Sequence, residues 1–201
     1  MTMSIRLAAY ALYVRRRLLQ RWYRRKFILL EGLTHKKILV GSNVTFSVPV
    51  RSGGEGTLKI GSNSTFGFNL SPRSGNGEIL LQARSPESEI TLGCNSVINN
   101  NTSIVANSRI TIGSRCLIGD GVVIFDSDFH HIDPILRNEG NGEVSPVTIG
   151  DNVWIGSRAM ILKGVEIGEN SVIGAMSVVS KSVPPNTVAA GVPCRALRRV
   201  A

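Results

Sequence analysis

The chain has 201 residues, with 23 Lys and Arg against 14 Asp and Glu, and only 5% of it is aromatic. That length accommodates one domain with a substantial core plus an appendage, and 21 glycines suit stacked aliphatic layers better than a conventional core. Residues 1–40 carry ten basic residues against Glu31 alone, whereas residues 41–201 carry thirteen of each sign. The basicity belongs to the N-terminus, so a nucleic-acid groove along the body is disfavoured.

Residues 4–30 contain neither Gly nor Pro and predict a helix, the main part of a basic amphipathic unit spanning residues 1–37. Ile5, Ala8, Leu12, Leu19 and Trp22 share a face that Arg15 and Arg16 interrupt. Two roles fit. The helix either caps the open end of the body or packs on a neighbouring subunit, or it lies on an anionic membrane surface through residues 1–30. Each basic residue near such a surface contributes about 1 kcal/mol, so charge alone gives only about millimolar binding. Trp22, Phe27 and the leucines would have to insert as well. The apolar run Leu7–Val14 is too short to span a bilayer and leads into three arginines rather than a cleavage site. A cytoplasmic body is expected, with peripheral contact to the inner face of the cell membrane. Cys94, Cys116 and Cys194 have no pairing or metal spacing and read as free thiols in a reducing compartment.

The body, residues 38–201, opens with ILVGSNVTF and LKIGSNSTFGFNL, which share an aliphatic–Gly–Ser–Asn step. The turn-rich segments SVPVRSGGEGT and SPRSGNGEILLQARSPES predict protruding loops. Regular rungs resume at Leu92 and continue at Ile98, Ile104, Ile110, Ile112, Ile118 and Ile124, with a two-residue phase shift at Ile110–Ile112 that predicts a small bulge. Residues 125–146 fit no rung. In a solenoid such an interruption maps to a loop on one face, often the functional one. From Val147 the pattern is clean: Ile149, Ile155, Ile161, Ile167, Ile173 and Val179 recur every sixth residue, glycine often follows, and a small or β-branched residue comes three positions later. Neither a helix nor an alternating strand has that period. It reads as short strand-and-turn units stacked into a parallel β-helix. The aliphatic residue points inward, the small residue fits a tight corner, and glycine is expected to take a backbone geometry other residues resist. A Pro-punctuated tail, 184–201, closes the chain.

His130 and His131 stand at the mouth of the interruption, preceded by Asp126 and Asp128. If the strand runs on through them, the two histidines face opposite sides and Asp128 shares the face of His130. A histidine beside a carboxylate is a candidate general base, since imidazole exchanges protons near neutral pH. A polar surface turn accounts for the spacing equally well. Only His35 lies elsewhere, so three convergent imidazoles are not on offer and no metal is expected.

Residues 145–198, with NVWIG, VIGA followed by SVVSKSVPP, and AGVPCR, resemble the C-terminal half of the hexapeptide-repeat acetyltransferases, nearest to the galactoside and maltose O-acetyltransferases. The likeness covers roughly residues 92–199, and the DSDFH form of the loop is similar to the branch that acetylates surface polysaccharides. The resemblance implies an all-β fold, a left-handed parallel β-helix with an N-terminal α-helix and a protruding loop, exempt from the right-handed crossover rule. It also implies a homotrimer with acetyl-CoA as co-substrate between neighbouring prisms and no metal. The family's catalytic histidine falls on His130. One additional residue between Ile124 and the histidine keeps His131 as an alternative, and Asp128 or a backbone carbonyl would hold the other ring nitrogen. The acceptor contact falls on Asn99, with Glu143 in the loop as a second candidate. The donor contacts fall on Trp154, Ser157, Ala175, Ser180, Lys181, Arg195 and Arg198. A Ser157 N–H suits a developing oxyanion, and Lys181, Arg195 and Arg198 suit coenzyme A phosphates. The implied reaction is acetyl transfer to a sugar hydroxyl in surface polysaccharide biosynthesis. N-acetylation of an amino sugar is the alternative, because a histidine base serves an amine as well.

Overall fold

The structure is a computed structural model that describes residues 3–30, 33, 37–68, 71, 77–140 and 142–200. Glu31 and His35 lie outside the described residues, as does the side chain of Ile5. Among the described residues a helix, α1 (Met3–Leu30), precedes twenty strands wound into coils of three. The first coil holds β1 (Lys37–Val40), β2 (Thr45–Phe46) and β3 (Val50–Gly53), and the second β4 (Thr57–Ile60), β5 (Thr65–Phe66) and β6 (Ile79–Ala83). The third holds β7 (Glu89–Leu92), β8 (Val97–Ile98) and β9 (Ser103–Ala106), and the fourth β10 (Arg109–Ile112), β11 (Leu117–Ile118) and β12 (Val123–Phe125). The fifth holds β13 (Val147–Ile149), β14 (Trp154–Ile155) and β15 (Met160–Ile161), and the sixth β16 (Glu166–Ile167), β17 (Val172–Ile173) and β18 (Val178–Val179). A hairpin of β19 (Thr187–Ala190) and β20 (Arg195–Arg199) follows.

Each coil stacks in parallel on the one before, giving three sheets that run β1-β4-β7-β10-β13-β16, β2-β5-β8-β11-β14-β17-β19-β20 and β3-β6-β9-β12-β15-β18. The result is a left-handed parallel β-helix, as the resemblance implied. Every sixth aliphatic residue from Ile149 to Val179 is buried, and so are the corner residues Val153, Ala159, Val165, Ser171 and Ser177. The glycines act differently from the expectation. The left-handed backbone falls two residues after each glycine, at Asn152 (φ 56°), Arg158 (φ 59°), Asn170 (φ 58°) and Met176 (φ 59°). Glycine is needed for close stacking instead, since a Cβ on Gly156 would sit 2.5 Å from the Ala175 nitrogen one coil up. Asparagine tolerates the left-handed region, and its amides form a ladder up the corner. Asn152 Nδ2 donates to Asn170 Oδ1 at 2.9 Å, and Asn170 Nδ2 donates to Asn186 Oδ1 at 3.1 Å.

The lower coils are wider. One turn of chain carries Lys37 to its partner Thr57 at the base, whereas a shorter turn carries Thr148 to Glu166 higher up. In the first and third sheets the lower strands, β12 aside, are four or five residues long and place two or three side chains inward. Ile110 and Ile112 are such a pair, both buried on β10, so the phase shift marks a longer side and not a bulge. Two segments expected to protrude instead supply the strands β3 and β6, paired from Val50–Ile79 to Gly53–Gln82. Residues 69, 70 and 72–76 lie outside the described residues. The wide cross-section is filled by aromatic rings: Phe27 of α1 packs 5.1 Å from Phe46, which stacks 5.1 Å from Phe66. The helix thus lies across the open end of the prism, touching β2 and β3, with Gln20 Nε2 donating to Ser47 Oγ at 3.0 Å. The capping face is Gln20, Tyr23 and Phe27, while Leu12, Leu19 and Trp22 of the expected face stay exposed.

Candidate active site

Strand β12 stops at Phe125, so no strand carries the histidines. Asp126 is buried and structural, its carboxylate accepting the Asn107 and Ser108 N–H groups of the coil below at 2.7 and 2.8 Å. Ser127 bridges Val144 in antiparallel fashion, and Asp128 N–H donates to the Glu143 carbonyl at 3.0 Å. This neck makes the intervening residues project. Phe129 turns the chain with φ 63°, its ring edge-on to Phe125 at 5.0 Å and beneath the Arg84 guanidinium at 4.5 Å. On the returning limb Gly142 (φ 67°) lies against the backbone of His130, where a Cβ would collide with the His130 carbonyl. The base of the loop is thereby held from both sides.

His130 Nδ1 lies 3.1 Å from the Arg137 carbonyl oxygen. A carbonyl only accepts, so Nδ1 carries the proton and Nε2 keeps its lone pair, on an exposed ring. The partner of the imidazole is thus a backbone carbonyl and not Asp128. The Asp128 carboxylate turns to Lys163 instead: Nζ is 3.4 Å from Oδ2, an ion-pair separation without hydrogen-bond geometry, and donates to Glu143 Oε2 at 2.8 Å. The Glu143 hydrogen bond raises the Lys163 pKa, against an opposing effect of burial and with a further push from Asp128. Glu143 and Asp128 therefore form the stem of the loop. His131 is half-buried and makes no ring hydrogen bond among the described residues.

The remaining candidates occupy other edges. Asn99 follows β8 at the corner between the second and third sheets; its Oδ1 is buried and has no hydrogen-bond partner among the described residues. Ser157 and Ala175 lie on that corner higher up, stacked so that Met176 N–H donates to the Ser157 carbonyl at 2.9 Å. Lower on the corner, the Phe68 N–H donates to the side-chain oxygen of Asn100 one coil up, at 3.0 Å. Ala175 offers Ser157 no such oxygen. Among the described residues the Ser157 N–H has no acceptor. Trp154 stands exposed on the adjoining second sheet, and Arg195 and Arg198 are exposed on β20 of the same sheet. The two arginines donate only to nearby backbone carbonyls, Cys194 and Arg199, so their charge is uncompensated by any described carboxylate. Ser180 and Lys181 follow β18 and share the corner of the histidine loop.

The candidates thus fall on two edges of one triangular prism. His130, Asp128, Glu143, Ser180 and Lys181 take one, and Asn99, Ser157 and Ala175 the other, with Trp154, Arg195 and Arg198 on the flanking sheet. The sequence reading missed the Arg137 carbonyl, Lys163, and the Arg84–Phe129 anchor. None carries a sequence signal, since each acts through a fold that brings distant coils together. The close approach at Gly142 was legible only as an unexplained Gly-Asn-Gly.

Residues 146–181 match the family described as bacterial transferase hexapeptide (six repeats). The galactoside O-acetyltransferase of Escherichia coli (strain K12) is 48% identical over 113 residues, 56% of this chain and 55% of that protein. The chain spans about half the length of the curated relatives it matches. Among solved structures, a hexapeptide-repeat-containing acetyltransferase from Vibrio cholerae aligns with TM-score 0.58 and 30% identity over 71% of this chain and 74% of that one. The same protein complexed with acetyl coenzyme A aligns with TM-score 0.57 and 26% identity over 89% and 78%. A polysialic acid O-acetyltransferase aligns with TM-score 0.66 and 26% identity over 83% and 81%. The likeness to the Vibrio protein takes in nearly three quarters of each chain, and this chain belongs to the hexapeptide-repeat acetyltransferase family.

Proposed function

We propose that this protein transfers an acetyl group from acetyl-CoA to a sugar hydroxyl, with His130 as general base. The observation that carries the reading is the Nδ1 contact to the Arg137 carbonyl, which fixes the tautomer and leaves Nε2 as a free base. Nε2 takes the hydroxyl proton as that oxygen attacks the thioester carbonyl carbon. The oxyanion accepts the unpaired Ser157 N–H, which points to no acceptor of its own. As the carbon–sulfur bond breaks, the imidazolium returns the proton to the departing thiolate. Lys181, Arg195 and Arg198 supply cations for the phosphates of coenzyme A, and Trp154, Ala175 and Ser180 complete the donor contacts. Asn99 holds the acceptor through its partly exposed side-chain amide.

The working unit in this reading is a trimer. His130 and the Asn99–Ser157 corner lie on different edges of one prism, so a reacting carbon meets both only where two prisms adjoin. The loop tip supports this: Ile132 and Ile135 are 80% and 85% exposed, apolar surface that a neighbouring prism would cover. The acceptor favoured is a surface polysaccharide or its lipid-linked precursor, because of the DSDFH motif and the likeness to a polysialic acid O-acetyltransferase. Acetyl-CoA is a cytoplasmic metabolite, which favours that compartment for the reaction.

The test is thiol release from acetyl-CoA with a panel of oligosaccharides, nucleotide sugars and amino sugars. His130→Ala is expected to lower turnover by about 10²–10⁴-fold with coenzyme A binding by calorimetry unchanged, while His131→Ala retains turnover. Activity retained in His130→Ala and lost in His131→Ala would reverse the assignment. Product formed only with amino sugars would favour N-acetylation.

A further inference from the structure

The end of the prism closed by α1 carries a face that nothing among the described residues covers. Gln20, Tyr23 and Phe27 turn toward the body. On the opposite side Ala11, Leu18, Trp22 and Leu29 line up along one stripe of the helix, and Leu18 and Trp22 are 59% and 55% exposed. Arg15 and Lys26 border the stripe on one side, Arg21 and Arg25 on the other, and Lys26 Nζ sits 5.6 Å from the centre of the Trp22 ring. Along one edge Arg17, Arg21 and Arg24 line a cavity of ≈ 590 Å³ against Val44 and Thr45, with no carboxylate among its described lining residues. Met3–Leu30 contains no acidic residue.

We propose that this face binds the surface of an anionic lipid bilayer, with α1 lying at headgroup depth and the prism standing end-on above it. An apolar stripe flanked on both sides by cations is the form a helix takes in that plane, with side chains inserted and guanidinium groups among the phosphates. The alternative occupant, a second copy of the same face, would set one acid-free row of cations against another, a like-charge contact that disfavours the pairing. Among the described residues no helix is long and apolar enough to cross a membrane, so the contact is with the surface. The aromatic cap through Phe27 explains why the stripe is free for this use. The helix is already anchored by its other face, and docking requires no unfolding. This inference is independent of acetyl transfer and holds or fails on binding alone.

The test uses the full chain with Trp154→Phe, so that Trp22 is the sole tryptophan. It is mixed with vesicles of phosphatidylcholine, or of phosphatidylcholine with phosphatidylglycerol. Trp22 emission should move to the blue, and the protein should pellet, only with the anionic vesicles and less as salt rises. Leu18→Asp with Leu29→Asp should weaken partition by more than about tenfold at unchanged circular dichroism and oligomer size. Arg15→Gln with Arg21→Gln and Arg25→Gln, which keeps every apolar side chain in place, should weaken it too. Equal pelleting of the wild-type and both variants would overturn the proposal. So would Trp22 emission already blue without vesicles, or a change of oligomer size in the aspartate variant, either of which would make the stripe a contact between subunits.

Discussion

The lower and upper halves of the prism solve the same stacking problem in different ways. Below, the longer coils use inward pairs such as Leu58 and Ile60, and fill the wide end with the Phe27–Phe46–Phe66 stack. Above, the shorter coils place one aliphatic residue on each side and one small residue at the corner. The histidine loop leaves the prism where the sides shorten, from four residues in β10 to three in β12 and β13 and two in β15 and β16. A taper changes the path of the chain at a corner, and a long insertion is accommodated there without disturbing the ladders on either side. Unequal coil lengths belong to the wide half, and the tight half carries the corner of Ser157 and Ala175.

That contrast can be broken most severely in the cores. Phe46→Ala removes the ring held between Phe27 and Phe66 and should cost about 3–5 kcal/mol in denaturant unfolding. Its coenzyme A affinity should survive in the folded fraction. Ile161→Ala should cost about 2–5 kcal/mol and weaken coenzyme A binding as well, because its coil carries Ser157. Equal effects of both on binding would remove the functional distinction between the halves.

A finer cut uses matched glycines. A Cβ on Gly61 would lie 2.6 Å from the Cys94 nitrogen, and one on Gly156 2.5 Å from the Ala175 nitrogen. Each alanine variant should lose about 1–3 kcal/mol from overpacking. Only Gly156→Ala should also depress turnover, by displacing the Ser157 N–H from the thioester. If Gly61→Ala depresses it as much, the corner has no special role.

Thiol chemistry separates exposed from buried positions along the prism more gently. Cys116 is buried, its thiol pKa raised by desolvation, with Sγ 3.2 Å from the Gly150 carbonyl oxygen; burial also raises Cys194. A thiol-specific reagent at neutral pH should label exposed Cys94 quickly and the other two only on unfolding. The smallest effect is electrostatic. Lys59 beside Glu89 lowers the carboxyl pKa below the usual 4.5. A lowered folded pKa gives stability that is present above 4.5 and lost as pH falls through the folded value. Glu89→Gln should therefore flatten the acid limb of the stability profile, by no more than about 1 kcal/mol for a surface pair.

What could be read from the amino acids follows the same division. The upper coils were legible because each side contributes one inward residue, so the repeat is a strict six and Ile149 to Val179 stand in phase. In the lower coils a second inward residue on a side stretches the repeat, and Val50–Gly53 and Ile79–Ala83 sit among glycines and serines that mimic loops. The helix was plain as a helix, but its buried face was not. Phe27 is the deepest residue because it meets Phe46, a pairing no helical pattern encodes. At the site, His130 could be singled out, whereas its orienting carbonyl at Arg137 and the Lys163 pairing of Asp128 depend on how the loop folds back. The role assigned to glycine was wrong in mechanism, since proximity of the next coil demands it and the asparagines take the left-handed turn.

The central claim, that one active site draws on two protomers, is tested most directly by mixing inactive variants. His130→Ala and Asn99→Ala protomers are each expected to be inactive alone, and co-expressed they assort at random. The account predicts recovery of about a quarter of wild-type activity, from interfaces that join an intact His130 to an intact Asn99 of the neighbour. Mixed oligomers as inactive as either parent would place the whole site within a single prism and contradict it.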